Sequence, residues 1–301
     1  MLANPLEKIM QEETSFSLSR RKILIGASIG AAALAAPSIA GAQTTSAGPK
    51  TEDPLAHDLT GKRALVTGAS RGIGAGIALA LADRGADVVI TYLQSTDMAA
   101  EIVRIIESKG RRALAVQADS GDPAAVRRSI DETVKTLGGL DILVNNVGIA
   151  RSAPLEEMTF ADIDDLLSVN SRAAVLASQA AIPHLKDGAR IITIGSCLAE
   201  RVPYPNLTVY SMSKSALLAF TRGLARELGP RNITVNLIQP GPIDTDQNPA
   251  DGDWAEANTR LTALGRYGNP SDIAAAVSFL ASPAAQFMTG SVMTVDAGFN
   301  A

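Results

Sequence analysis

The chain has 301 residues, 46% hydrophobic and 19% charged, which is typical of a globular protein and excludes a disordered or fibrous one. A single cysteine, Cys197, rules out an internal disulfide and a zinc site built from clustered cysteines. The two histidines, His57 and His184, lie in no metal-ligand motif, so we expect neither a metal site nor a Ser-His-Asp hydrolase. The net charge of −4 and the aromatic content of 4% argue against nucleic acid as a partner.

The first 42 residues have the order of an export signal. Ser19-Arg20-Arg21-Lys22 precedes a mildly hydrophobic run from Ile23 to Ala35, and Ala40-Gly41-Ala42 follows as a cleavage site. The paired arginines indicate the twin-arginine type. The run is shorter than the ~20 apolar residues of a membrane span, although a retained anchor stays a second interpretation. We predict a periplasmic protein whose membrane contact is transient and limited to the signal, with a cytoplasmic protein as the alternative. Residues 43–58 are predicted to form a flexible leader.

From Lys62 onward, short apolar runs alternate with longer segments of helical periodicity. Continuous apolar runs are typical of strands that helices cover on both faces of a parallel sheet. The pattern predicts one α/β domain over residues 59–301 with a doubly wound parallel sheet. An irregular stretch, Pro240–Asp253, begins a predicted substrate lid at 242–264. The predicted strands are Arg63–Thr67, Asp87–Thr91, Ala113–Gln117, Ile142–Asn145, Arg190–Gly195, Thr234–Gln239 and Ser291–Asp296; the predicted helices include Ile73–Arg84, Thr96–Lys109, Ala124–Leu137 and Leu166–Leu185.

The first strand leads directly into a glycine-rich turn at 67–74, TGASRGIG, and then into a helix. Glycines let the backbone approach a ligand, and the helix N-terminus offers free N–H groups to an anion. In the first strand–turn–helix of an α/β domain, this pattern predicts a dinucleotide site. The second strand ends at Thr91-Tyr92 without the carboxylate that usually holds the ribose of NAD, whereas Arg71 lies in the turn near the place of a 2′-phosphate. The sequence therefore favours NADP over NAD.

Three motifs together resemble the short-chain dehydrogenase/reductase family: the glycine turn, Asn145-Asn146-Val147-Gly148 and Tyr210-Ser211-Met212-Ser213-Lys214. The resemblance covers about residues 59–301 and implies a Rossmann-type sheet of seven strands, a nicotinamide cofactor and a homo-oligomer, a tetramer. Val147 stands where the family usually has alanine. The implied catalytic tetrad is Asn170, Ser196, Tyr210 and Lys214. The implied cofactor-binding residues are Gly68, Ser70, Arg71, Gly72, Ile73, Gly74, Ser95, Asp119, Ser120, Asn146, Val147, Gly148, Tyr210, Lys214, Pro240, Gly241, Ile243 and Thr245.

The chemistry of these residues fits the reduction of a ketone, which needs a hydride on carbon and a proton on oxygen. Tyr210 and Lys214 are four residues apart and share a helix face, so the ammonium is predicted to lower the pKa of the phenol. Ser196 closes a strand, where its hydroxyl can bind the substrate oxygen. Asn170 is predicted to hold a water that leads the proton to solvent. We therefore predict an NADP-dependent oxidoreductase that acts on a small carbonyl compound or secondary alcohol, with Tyr210 as general acid and base.

Two subgroup resemblances leave a second function open. The overall pattern is similar to bacterial 3-oxoacyl-carrier-protein reductases, whereas residues 239–250 are similar to relatives named as cyclic-di-GMP-binding biofilm-dispersal proteins. The alternative is therefore a nucleotide-binding regulatory module with little or no turnover, and the intact tetrad favours the enzyme. Two small or apolar stretches, Ala173–Ala181 and Ala216–Phe220, are predicted to pack against symmetry copies. His184 is predicted to be helix-terminal, and Cys197 a small buried side chain.

Overall fold

A sheet of seven parallel strands forms the centre of the protein, in the order β3-β2-β1-β4-β5-β6-β7. The structure, a computed structural model, describes residues 58–301. Each predicted strand is present, with ends shifted by a few residues. The strands are β1 (Arg63–Val66), β2 (Asp87–Tyr92), β3 (Ala113–Gln117), β4 (Leu140–Asn145), β5 (Leu185–Ile194), β6 (Thr234–Pro240) and β7 (Val292–Val295).

Helices cover both faces of the sheet, which confirms the doubly wound α/β architecture. On one face Ile77, Leu81, Ile273 and Val277 join a core with the strands, and on the other Ile130 and its neighbours do so. The helices are α1 (Gly72–Asp83), α2 (Thr96–Ser108), α3 (Pro123–Leu137), α4 (Phe160–Leu167), α5 (Ala173–Ala181), α6 (Thr208–Leu228), α7 (Ala255–Leu261) and α8 (Pro270–Ala281). The predicted first three helices are confirmed to within a residue or two.

The predicted continuous helix over Leu166–Leu185 is wrong. Helix α4 begins earlier, at Phe160, because Thr159 and Asp162 form a reciprocal capping box there. A π-helical turn, Ser168–Arg172, then separates α4 from α5. Pro183 follows the end of α5 and cannot continue a helix, so Leu185 already belongs to β5. His184 lies in the connecting turn, where its backbone N–H donates to Ala181.

The small-residue face of α5 packs within its own chain. Ala177 and Ala181 are buried in one core cluster with Val126 and Ile130 of α3. The small side chains let two helices of one chain approach closely, so this face of Ala173–Ala181 is used within the chain; contact of its outer face with a symmetry copy stays a prediction.

The predicted signal, 1–42, and the predicted leader, 43–58, lie outside the described residues except for Asp58. Both carboxylate oxygens of Asp58 accept hydrogen bonds from the Arg84 guanidinium, at 2.8 and 2.7 Å. Within residues 58–301 no helix is long and apolar enough to cross a membrane. The same residues hold no group of three or more His, Cys, Asp or Glu side chains that could bind a metal ion.

Candidate active site

A cleft of ≈ 660 Å³ lies at the carboxyl edge of the sheet. The glycine turn lines one end of it, and Ser196 and Tyr210 line the other. Every predicted cofactor-binding residue lines this cleft, as do three members of the predicted tetrad. The fourth, Asn170, lies behind the cleft wall and lines a small inner cavity instead. The geometry thus joins a nucleotide-binding turn and a set of proton-donating side chains in one space.

The glycine turn has no room for side chains at its centre. A Cβ atom at Gly74 would lie 2.5 Å from the Gly68 carbonyl oxygen and from Asn146 Nδ2. Gly68 and Gly72 also have φ of +63° and +57°, which side chains disfavour. The turn places the N-terminus of α1 against the cleft, where its free N–H groups suit a pyrophosphate.

Two threonines that the sequence analysis missed hold this turn in place. Thr91, at the end of β2, accepts a hydrogen bond from the Gly68 N–H at 2.9 Å. Thr67 accepts from the backbone N–H groups of Asn146 and Val147 at 3.0 and 3.2 Å. The ends of β1, β2 and β4 are therefore cross-linked around the nucleotide position. Only the positions of Thr67 and Thr91 at strand ends could have indicated this role.

The mouth of the cleft beside the turn carries one cation. Arg71 precedes α1, and its Nη1 lies 3.1 Å from an Asp246 carboxylate oxygen of the lid. Both side chains are substantially exposed, at 45% and 62%, so an incoming anion can replace the carboxylate. Tyr92 occupies the tip of β2, and Ser95, at the start of α2, does not cap that helix with its side chain. This donor set, a guanidinium and a hydroxyl without an adjacent strand-tip carboxylate, suits a 2′-phosphate.

At the other end of the cleft, α6 brings Tyr210 and Lys214 together on one face. Lys214 is buried, and its Nζ donates to the Ile194 carbonyl at 3.3 Å. Gly148, after β4, leaves space for the ammonium, since a Cβ atom there would lie 2.9 Å from Nζ. Ser196 lies two residues after the end of β5, and its Oγ accepts from the Leu198 N–H at 3.2 Å. Two elements, α6 and the end of β5, thus bring one phenol, one ammonium and one hydroxyl to the same end of the cleft.

Asn170 lies in the π-helical turn and connects the loop after β4 to α6. Its Oδ1 accepts from the Ile149 N–H at 2.8 Å, and its Nδ2 donates to the Ile149 carbonyl and to Ser213 Oγ, both at 3.0 Å. The Asn170 side chain therefore connects the loop at Ile149 to Ser213 of α6 beneath the catalytic end of the cleft. Its role in holding a water stays a prediction.

Comparisons with known proteins agree with this geometry. The family model described as enoyl-(acyl carrier protein) reductase matches residues 68–300. The cyclic-di-GMP-binding biofilm dispersal mediator protein of Escherichia coli (strain K12) is 43% identical over 242 residues, 80% of this chain and 98% of the relative. Versicolorin reductase 1 of Aspergillus parasiticus is 41% identical over 255 residues, 80% of this chain and 97% of the relative. A solved short chain dehydrogenase from Burkholderia cenocepacia J2315, in complex with NADP, is 54% identical with a TM-score of 0.80, covering 81% of this chain and all of that one.

The chain belongs to the short-chain dehydrogenase/reductase family. The family places it among oxidoreductases, and its sequence motifs, its seven-stranded sheet and the shape of its cleft all agree with that membership.

Tyr210 and Lys214, the titratable members of the predicted tetrad, have shifted pKa values. Burial raises the pKa of Tyr210, and a hydrogen bond with the Ser196 side chain offsets only part of that rise. The predicted lowering of the tyrosine pKa is therefore wrong, because desolvation of the phenolate is the largest influence and raises the pKa. Burial also lowers the pKa of Lys214 to about 8. At neutral pH Tyr210 is thus a protonated donor beside a lysine that is still mostly charged.

Cys197 lies next to Ser196 and takes no part in this proton chemistry. Burial, with a further contribution from Asp296, raises the pKa of its thiol to about 12. A thiol that stays protonated is a weak nucleophile, so Cys197 is a small buried side chain, as the sequence predicted.

Proposed function

We propose that this chain is an NADPH-dependent carbonyl reductase that interconverts a ketone and a secondary alcohol. The observation that carries the proposal is the single cleft, with Ser196, Tyr210 and Lys214 at one end and the glycine turn with Arg71 at the other. A binding protein has no physical need for a phenol, a buried ammonium and a hydroxyl converging on one point.

The residues present fit NADPH, which when bound supplies the hydride. The glycine turn and the N-terminus of α1 would hold the pyrophosphate. Arg71 and Ser95 would hold the 2′-phosphate, since both line the cleft beside the strand tip that lacks a carboxylate. The solved relative from Burkholderia cenocepacia, in complex with NADP, supports this choice.

The side chains at the catalytic end have different roles in the reduction of the carbonyl group. The hydroxyls of Ser196 and Tyr210 hydrogen-bond the substrate oxygen, on which negative charge develops. Tyr210, protonated at neutral pH, gives its proton to that oxygen as the carbon is reduced, and the ammonium of Lys214 stabilises the resulting phenolate. In the alcohol-oxidising direction the phenolate takes the proton back.

A panel assay tests the proposal. Purified protein is mixed with NADPH or NADH and with ketones of varied size, and cofactor oxidation is followed by absorbance; alcohols with the oxidised cofactors test the reverse direction. We expect turnover with NADPH, tighter binding of NADPH than NADH, and a shift toward NADH in Tyr92→Asp, where the new carboxylate repels the 2′-phosphate. Absence of turnover across the whole panel with both cofactors would contradict the proposal.

The second candidate function, a nucleotide-binding regulatory module, draws on one observation. The Escherichia coli relative, 43% identical, is named for binding cyclic-di-GMP. Calorimetric titration of this chain with cyclic-di-GMP, with and without NADP⁺, separates the two functions. Micromolar binding without any carbonyl turnover would favour the module.

Export through the twin-arginine pathway is our proposal for the location of the enzyme. That pathway moves folded proteins, so a nucleotide bound at 67–74 can be carried across with the chain. Cell fractionation tests it: mature protein that begins near Gln43 in the periplasm is expected, and its loss in the Arg20→Lys/Arg21→Lys double variant. Uncleaved protein found only in the cytosol would contradict export and favour a carrier-protein substrate instead.

A further inference from the structure

Two aromatic side chains, Tyr204 and Trp254, form what we call the aromatic wall of the cleft. Tyr204 lies in the loop before α6, and Trp254 directly precedes α7 of the lid. Their ring centroids are 5.7 Å apart with an angle of 56° between the planes. Both residues line the cleft together with Tyr210, and Trp254 is still 56% exposed. The wall therefore offers ring surface to a molecule beside the phenol.

A chain of hydrogen bonds connects Tyr204 of the wall to the lid and to Tyr267. The Tyr204 hydroxyl donates to Asn258 Oδ1 at 3.2 Å, and Asn258 Nδ2 donates to the Tyr267 hydroxyl at 2.9 Å. The Tyr267 hydroxyl in turn donates to Asn248 Oδ1 at 3.3 Å, and Tyr267 is buried. Tyr204 is therefore held by hydrogen bonds, and Trp254 packs against the ring that they position.

The charges at this end of the cleft disfavour anionic substrates. Among the described lining residues near the wall, Arg151 and Lys214 are the cations. Arg151 already contacts Asp162 at 3.3 Å and Asp165 at 2.8 Å, and Lys214 is buried within the catalytic group. A substrate carboxylate or phosphate would therefore have to displace two carboxylates from Arg151 or reach a lysine that is buried among the catalytic side chains. The remaining lining is mainly apolar, including Ile149, Leu198, Leu207 and Phe299.

We propose that the catalytic end selects uncharged ketones that carry a flat aromatic ring, and that the ring stacks on Tyr204 and Trp254 while the carbonyl oxygen meets Ser196 and Tyr210. This inference rests on the proposed carbonyl reduction and names its substrate class. Rings that pack face to face or edge to face gain more than their buried area alone provides, and a saturated ring of the same size lacks that gain.

A matched pair of substrates tests the aromatic wall. The ketones 2-tetralone and 2-decalone share one bicyclic skeleton, and only the first has an aromatic ring. With NADPH we expect kcat/KM to be about two- to tenfold higher for 2-tetralone, from the energy typical of one aromatic pair. Trp254→Leu and Tyr204→Leu are expected to bring the ratio close to one, whereas Trp254→Phe keeps most of it. Phe287→Leu, which removes a fully exposed aromatic outside the cleft, is the control and keeps the ratio of the parent.

A binding measurement separates this inference from the proposed function. Trp254 is the single tryptophan of the chain, so its fluorescence reports on the wall directly. With NADP⁺ present, 2-tetralone is expected to quench it saturably and 2-decalone is not. Quenching by 2-tetralone, with no turnover of either ketone or of any ketone in the panel, would contradict the proposed function but support the wall. Equal turnover and equal quenching by the two ketones would overturn the proposed role of the wall and leave the proposed function standing. If no ketone is turned over and none quenches the fluorescence, both proposals are overturned.

Discussion

Lys214 combines a functional role with a cost in stability. Its ammonium is buried beside Gly148 with one carbonyl partner, Ile194, and burial lowers its pKa from 10.5 to about 8. A lysine of lowered pKa binds fewer protons in the folded chain than in the unfolded chain between these two values. With respect to this lysine, the stability of the folded chain is therefore highest above pH ~10.5, where the lysine is neutral in both states, and it falls as the pH is lowered through about 8. Below that pH the cost of burying the ammonium is complete.

Replacing this cation by an apolar side chain of similar length tests that cost. Lys214→Met is expected to lose carbonyl turnover but to raise the free energy of unfolding at pH 7 by up to about 3 kcal/mol. Urea unfolding of the two proteins at pH 7 and at pH 10 measures it. The difference in the free energy of unfolding between the variant and the parent is expected to be smaller at pH 10 than at pH 7. A variant that is less stable than the parent at pH 7 would contradict the proposed cost of burying the lysine.

The sequence placed Ser196, Tyr210 and Lys214 in one candidate site, and they do line one cleft, but the direction of the Tyr210 pKa shift could not be predicted. Tyr210 and Lys214 stand four residues apart, which fixes their shared face before any tertiary contact is known. Their pKa values depend on desolvation by the ends of β4 and β5, which meet only in the folded chain. The supporting roles of Thr67 and Thr91 escaped prediction for the same reason, because strand-end threonines are common and their partners are distant in sequence.

At the scale of elements, the lid and the glycine turn meet through the ion pair of Asp246 with Arg71. An anion that binds Arg71 must first displace the Asp246 carboxylate. We expect Asp246→Asn to tighten NADPH binding two- to fivefold, the range of an exposed ion pair, and to leave NADH binding unchanged. Fluorescence titration of both cofactors measures this effect. Asp251→Asn, another exposed lid carboxylate, is the control, and weaker NADPH binding in Asp246→Asn would refute the competition.

The positions of the strands and of the first three helices could be predicted from the local pattern of apolar residues. The helices between β4 and β5 could not. The alternation of apolar runs predicts the strands well because the five inner strands, β1, β2, β4, β5 and β6, are largely buried between helices. The predicted helix Leu166–Leu185 was wrong because a capping box begins the helix earlier, at Phe160, a π-helical turn interrupts it and Pro183 follows its end. The lid was predicted as a loop, and its hydrogen bonds from Tyr204 to Asn258 and Tyr267 depend on residues too far apart to be read from spacing.

At the scale of the whole molecule, we propose a homotetramer, as the family resemblance implies. The inner face of α5 is used within the chain, so the outer face, which carries the exposed Val175, is the surface available to a second copy. Light scattering at micromolar concentration is expected to give the mass of four chains. Val175→Asp is expected to lower that mass by placing a charge on the apolar contact, and a monomeric parent protein would contradict the assembly.

The central claim, that Tyr210 makes this chain an enzyme, is tested most directly by Tyr210→Phe in a paired measurement of turnover and cofactor binding. The substitution keeps the ring and removes the proton donor, while the glycine turn is untouched. We predict that carbonyl turnover falls by about 10²–10⁴-fold, as is typical of losing a general acid, and that NADPH affinity stays close to that of the parent. Near-normal turnover in Tyr210→Phe would contradict the account.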